Sequence, residues 1–383
     1  MISRPYWKAR IIAGWEKAPI VWLTGVRRVG KTTLARSFEG AAYLNCDLPS
    51  VAERLREPEQ FFGSLDNTRL ILDEVHQLPD PSRVLKIAAD AFPNLKLLAT
   101  GSSTLAATQK FRDSLAGRKR IIHLLPVLPE ELSVFGIRDM RKRLLHGGLP
   151  QRLLAEEPDP EFYSEWMDSF YARDVQELFR VEKRAGFLKL LEILLRQSGS
   201  LFESTSLAKL TGLTRPTVMN YLQVLQVTHA VTVVRPYSAG GRREIIAQPK
   251  VFGFDTGFVA HNRGWNELRT DDCGPLWEHL VLETLMSIID EAKIHFWRDK
   301  QQREVDFVSP RGRASCDAFE CKWSAESFEI RGLRAFRDNY PHGRNFLVAS
   351  NVVHAYLRTI EGMDITFTNA AQLRGLITSS PQS

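Results

Sequence analysis

Apolar and polar positions alternate with different periods along this chain, and the changes mark its elements. Ala18-Pro-Ile-Val-Trp-Leu-Thr-Gly25 is a short apolar run of strand formers closed by glycine. The residues after it, Val26 to Phe38, read as a loop and then a helix. Thr68-Arg-Leu-Ile-Leu-Asp73-Glu74 is a second apolar strand, ending in two carboxylates, and Leu95-Lys-Leu-Leu-Ala-Thr100-Gly101-Ser102-Ser103 is a third. Lys119-Arg-Ile-Ile-His-Leu-Leu125 predicts a further strand of the same sheet. Strands alternating with helices predict a doubly wound α/β sheet, with the polar clusters at the carboxyl ends where ligands bind.

The period then turns helical. From Pro150 to about Gly186 the pattern is helical and charged, with Tyr171-Ala-Arg173-Asp174 at its centre. An amphipathic helix begins at Phe187, a short one at Ser204 is stopped by Gly212, and a longer one covers Thr217–Gln226 behind Pro216. That order is a helix-turn-helix. A strand at Ala230–Arg235, a turn at Ser238–Gly241 and a second strand beginning Arg242-Arg243 complete a winged arrangement. Beyond it, Pro275–Glu283 starts a helix, and Ile294–Arg298 and Arg303–Val308 read as a hairpin. Ala318–Trp323 and Asn345–Ser350 add two more strands.

At 383 residues, two or three domains are expected. The pattern divides the chain into 1–148, a connector 149–186, a winged helix 187–250 and a C-terminal domain 251–383. Cys46, Cys273, Cys316 and Cys321 lack metal-site spacing, which predicts free thiols in a reducing cytoplasm. No apolar run suits a bilayer, and Met1–Arg10 lacks the core of a signal peptide. The net charge is +6, which suits an acidic partner such as nucleic acid or simply a basic surface. The segment 187–250 holds eight basic and three acidic residues, so most of the excess lies there. Arg215, Asn220, Arg242 and Arg243 are its candidate DNA contacts, although winged helices also pack on proteins.

Gly25-Val-Arg-Arg-Val-Gly30-Lys31-Thr32 fits a phosphate-binding loop, with a strand before it and a helix after. Glycines let backbone N–H groups approach phosphate oxygens. Lys31 would neutralise the outer phosphates, Thr32 would hold magnesium, and Thr33 follows in the nucleotide set. Asp73 would hold the magnesium shell and Glu74 would polarise the attacking water. Ser102 is the candidate γ-phosphate sensor. Arg118 is either an arginine acting across a subunit boundary or one half of a structural ion pair.

In the last third, Asp306 precedes Glu320-Cys-Lys322 by the spacing of a PD-(D/E)xK nuclease core. Strand alternation puts Glu320 and Lys322 on one face. Asp306 and Glu320 could then hold magnesium, with Lys322 positioning a water and Glu278 completing the cluster.

Taken in order, GVRRVGKTTLA, LILDEVHQLP, LLATGSSTL, SLAGR, HGGLPQ, YARDV, PKVFGFDTGF, WRDKQQREVDF and FECK resemble the prokaryotic AAA-type ATPases with a C-terminal DUF4143 domain. The resemblance implies an AAA-like P-loop ATPase domain, a winged helix and a restriction-endonuclease-like domain. It implies nucleotide contacts at Gly25, Gly30, Lys31 and Thr32, and magnesium and water roles at Asp73 and Glu74. Ser102 follows as sensor and Arg118 as trans-acting arginine. Asp255 matches a family motif, but its chemistry is not evident from sequence. Cys321 stands where an aliphatic residue is more usual.

Three functions compete. The first is an ATPase with ATP and Mg²⁺ as cofactors that remodels or translocates on DNA, branched DNA included. It would act as a homo-oligomeric ring, with a hexamer among the candidate sizes. The second is an ATP-gated, metal-dependent nuclease. The third is a nucleotide switch that binds a protein.

Overall fold

A computed structural model describes residues 2–66, 68–101, 109–157, 159–176, 179, 181–238, 248–312 and 315–379. The first apolar run forms β1 (Ile20–Thr24). β2 (Ala42–Asn45), β3 (Arg69–Asp73), β4 (Lys96–Thr100) and β5 (Lys119–His123) follow. All five are parallel, in the order β2-β3-β4-β1-β5. β4 therefore lies between β1 and β3, and its end separates the loop after β1 from the carboxylates after β3.

Alternation decides which face each strand residue serves. Val21 and Leu23 pack with Trp7, Ile11 and Trp15, which recur every fourth residue along the helix Pro5–Lys17. Ile20 and Trp22 join the opposite core with Leu85 and Phe111. The first core does not stop at the sheet. It continues through Trp166 and Phe170 of the helix Pro160–Phe170 into Phe187, Leu190 and Leu194 of the helix Arg184–Arg196. A π-helical turn, Tyr171–Val175, extends the helix Pro160–Phe170 at its C-terminal end.

Two more helices follow, Ser204–Thr211 and Arg215–Val227. Gly212 ends the former in the left-handed region, and the Thr214 side chain caps the latter by accepting from the Thr217 N–H. β6 (Ser200–Leu201), β7 (Val231–Pro236) and β8 (Lys250–Gly253) surround them. β7 pairs antiparallel with β8. Arg242 and Arg243, where sequence puts a second strand, lie outside the described residues.

β9 (His295–Arg298), β10 (Glu304–Pro310), β11 (Cys316–Lys322), β12 (Asn345–Ala349), β13 (Tyr356–Ile360) and β14 (Met363–Thr368) complete a second sheet. The hairpin expected at 294–308 is the antiparallel pair β9 and β10. Sequence gives no sign of how this sheet is joined to its neighbour. β7 pairs in parallel with β9 through Arg235–His295 and Pro236–Phe296, so nine strands run continuously in the order β13-β14-β12-β11-β10-β9-β7-β8-β6. A boundary at 250/251 would cut β8 itself. The helix Thr270–Ile288 covers the face bearing Phe307, Phe319 and Phe346, and the helix Arg331–Asn339 covers the other.

Asp255, whose chemistry sequence leaves blank, is a buried fastener. Its carboxylate accepts from Gly148 N at 2.6 Å, Gly257 N at 2.9 Å and Phe258 N at 3.4 Å. It thereby ties the turn after the helix Met140–His146 to the start of the helix Thr256–Asn262. Gly147 has φ +80°, and a Cβ there would lie 1.9 Å from Asp255 Oδ1, so no larger residue fits. The four cysteines are free and buried. Among the described residues no helix is long and apolar enough to cross a membrane.

Candidate active site

The loop after β1 turns at Gly25, with φ +143° and so little room that a Cβ would lie 2.5 Å from the Leu124 carbonyl oxygen. Gly30, at φ +101°, opens the helix Lys31–Arg36. Both positions need glycine for backbone reasons. Lys31 Nζ donates to the carbonyl oxygens of Gly25 at 2.7 Å and Val26 at 3.1 Å, so its ammonium lies over the loop. Burial lowers its pKa, against the pull of Glu74 and Asp174.

Asp73 is buried at the end of β3 and held from two sides. Tyr43 Oη donates to Oδ2 at 2.6 Å, and Thr100 Oγ1 donates to Oδ1. Burial, then the bond to Asp73, pushes the Tyr43 phenol up to about 12, so it remains a donor at neutral pH. The Thr100 hydroxyl also accepts from the Glu74 N–H at 3.0 Å. Glu74 has φ +55°, a conformation that costs a non-glycine residue energy. Its carboxylate meets His76 Nδ1 at 3.3 Å.

Lys31 and Glu74 face a cleft of about 810 Å³, lined also by Gly25, Gly30, Thr32 and Thr33. That volume suits a nucleotide. Ser102 lies outside the described residues. Sequence reading missed four contributors. Thr100 and Tyr43 orient Asp73, as above. Arg173 and Asp174, from the π-helical turn, also line the cleft. Asp174 Oδ2 pairs with Arg27 Nη1 at 3.4 Å, and Trp166 Nε1 donates to the Arg27 carbonyl at 3.1 Å. Their signal was a charge pair inside the Tyr171–Asp174 motif; π-helical turns recur at functional sites.

A second polar cluster occupies the C-terminal sheet. Asp306 Oδ2 accepts from the Cys321 N–H at 2.7 Å and lies 3.8 Å from Lys322 Nζ, which is 3.4 Å from Glu320 Oε2. Sequence pairs Asp306 with Glu320 as metal holders. The carboxylate oxygens that converge within 4.8 Å of one another instead belong to Glu278, Glu304 and Asp306. Strand alternation puts Glu304, two residues before Asp306, on the same face of β10, a signal that sequence reading passed over. Burial pushes Glu278 up to about 7 and raises Glu320 above the usual carboxylate range. Lys250, one of the eight basic residues of 187–250, is buried and paired with Glu278 and Glu304. Burial works against its charge, but the two carboxylates outweigh it and raise its pKa.

The two polar clusters fall in two separately matched regions of the chain. Residues 17–133 match the AAA domain, and residues 273–368 match a domain of unknown function, DUF4143. The chain thus carries an AAA domain at its N-terminus and a DUF4143 domain at its C-terminus. Between them, residues 137–269 match a further domain of unknown function, DUF8612. The chain is 28% identical over 352 residues to Uncharacterized protein Rv2008c of Mycobacterium tuberculosis and equally to Uncharacterized protein Mb2031c of Mycobacterium bovis. Each match covers 88% of this chain and 77% of the relative. Among solved structures, a DNA polymerase III gamma subunit-related protein of Thermotoga maritima overlaps with a TM-score of 0.25 and 11% identity, over 58% of this chain and 96% of its own. McrB AAA+ hexamers of Thermococcus gammatolerans with bound McrC overlap with a TM-score of 0.20 and 10% identity, over 48% and 70%.

Within the AAA domain, Arg118 precedes β5 at the opposite end of the sheet from Gly25. It is half-exposed and forms an ion pair with Asp90, Nε to Oδ1 at 2.5 Å. In the DUF8612 region, Arg215 and Asn220 are exposed on the helix Arg215–Val227, and Arg215 Nε donates to Ser204 Oγ at 2.9 Å.

Proposed function

We propose that this protein hydrolyses ATP with magnesium and uses the turnover to move or remodel DNA held by a winged helix within residues 187–250. One observation supports the coupling best. Arg173 and Asp174 reach the nucleotide cleft from the connector, whose apolar core continues into the helix that presents Arg215 and Asn220. A change in the cleft therefore has a packed route to the basic face.

Thr32 and Asp73 would hold magnesium, which when bound neutralises phosphate charge. Lys31 leaves the carbonyls of Gly25 and Val26 to pair with the outer phosphates. Glu74 orients a water and accepts its proton. Arg173 contacts the phosphate end, freed to do so because Asp174 is engaged by Arg27. Arg173→Ala is then expected to weaken ATP binding about tenfold in equilibrium titration, the loss of one charge-assisted contact of about 1.4 kcal/mol. Unchanged affinity would remove Arg173 from the site.

Arg118 cannot serve its own cleft from the far end of β5; a nucleotide role for it would lie in a neighbouring subunit of a homo-oligomeric ring, and its pair with Asp90 is the competing structural role. The exposed Ile121 on the same edge strand suits such a contact. The deciding experiment measures ATP turnover with single-stranded, duplex and branched DNA over a range of salt. Stimulation that fades with salt is expected. Mixing Arg118→Ala with Glu74→Gln protein should alter turnover with the mixing ratio. Turnover indifferent to every DNA would sink the DNA reading, and mixtures that simply average would sink the trans arginine.

A further inference from the structure

The carboxylate cluster of the DUF4143 domain already contains a cation, and the chain supplies it. Glu278, Glu304 and Asp306 bring oxygens within 4.8 Å of one another, the spacing of a hard divalent-cation site. Lys250 Nζ stands among them, 2.9 Å from Glu278 Oε1 and 2.5 Å from Glu304 Oε1. Its side chain is 6% exposed. Around this centre, Arg298 Nη1 lies 3.3 Å from Glu304 Oε2, and Lys322 lies near Asp306 and Glu320. Three cations thus face four carboxylates. One acceptor is left over: Glu320 Oε1 is buried without a hydrogen-bond partner, on a residue 4% exposed.

We propose that Lys250 is a tethered cation filling the divalent-metal position of this cluster, so that a metal enters only when the ammonium is absent. A divalent ion needs its oxygen ligands at roughly 2.0–2.6 Å. An ammonium at hydrogen-bond distance from two of those ligands takes both the space and the charge. Lys250 does not easily step aside. It lies on β8, between β6 and β7, with Leu201 and Val234 as its ladder neighbours. The ligand class is a hard divalent cation such as Mn²⁺ or Mg²⁺, and the ligands are Glu278, Glu304 and Asp306, with Glu320 Oε1 as the spare acceptor.

The test is Mn²⁺ titration of the full chain without nucleotide, read by the paramagnetic resonance of free Mn²⁺. The natural protein and Asp306→Asn are expected to give the same curve. Lys250→Met should gain about one equivalent of bound Mn²⁺, and Lys250→Met/Asp306→Asn should lose it. A natural protein that binds an equivalent removed by Asp306→Asn overturns the proposal, as does a folded Lys250→Met with no gain. Lys250→Met leaves carboxylates uncompensated, so its melting temperature should fall and be restored by Mn²⁺, while the natural protein's is unmoved. A Lys250→Met protein that stays unfolded in Mn²⁺ also overturns it.

Discussion

Glu74→Gln is expected to lower ATP turnover by about 10²–10⁴-fold, the usual contribution of a positioned general base, while nucleotide affinity is kept. The amide has the same shape and occupies the same place beside His76, but it cannot accept the proton of the attacking water. Steady-state turnover, combined with equilibrium titration of ATP, separates the two effects. A variant that turns over at the natural rate would exclude Glu74 as base. The companion variant Thr100→Val should act through geometry. It removes the hydroxyl shared by Asp73 and the Glu74 N–H, so turnover should fall without loss of the base itself.

The second large effect is structural. Asp255→Ala takes the acceptor from three buried backbone N–H groups. Each donor left unsatisfied costs about 1–3 kcal/mol, so a loss of at least about 3 kcal/mol is expected in chemical denaturation. Gly147→Ala attacks the same fastener from the other side, since its Cβ would enter the Asp255 carboxylate and its φ of +80° suits glycine. It should lower the denaturation midpoint as well. Because the two changes damage one contact, the double variant should lose much less than the sum. Additive losses would mean that the two residues act separately.

The parts of this molecule that sequence reveals are those written locally. β1, the loop to Thr32 and the end of β3 each lie within a few residues, and their periodicity and motif agree. The same holds for Asp306, Glu320 and Lys322, which strand pairing brings together. The parts it hides depend on distant contacts. Arg27 meets Asp174 across 147 positions, and nothing near either residue announces the other. β2 is a four-residue, half-buried strand, too short for a period, so Tyr43 went unnoticed as the partner of Asp73. Lys250 looks like a surface lysine because charge says nothing about burial until the carboxylates arrive from 28 and 54 residues away. Thr100 ends β4, and only its bonds to Asp73 and the Glu74 N–H, which sequence does not show, mark it out.

The two-rung pairing of β7 with β9 also limits how such proteins can diversify. A DUF4143 domain grafted from a relative could not be joined as an independent cassette. It would have to offer a strand edge that accepts Arg235 and Pro236. It would also have to bring an acid pair for the lysine that the preceding segment contributes. Chimeras that exchange only the region matched by DUF4143 should therefore fail at the seam, and those that carry the segment from β6 through β8 with it should succeed.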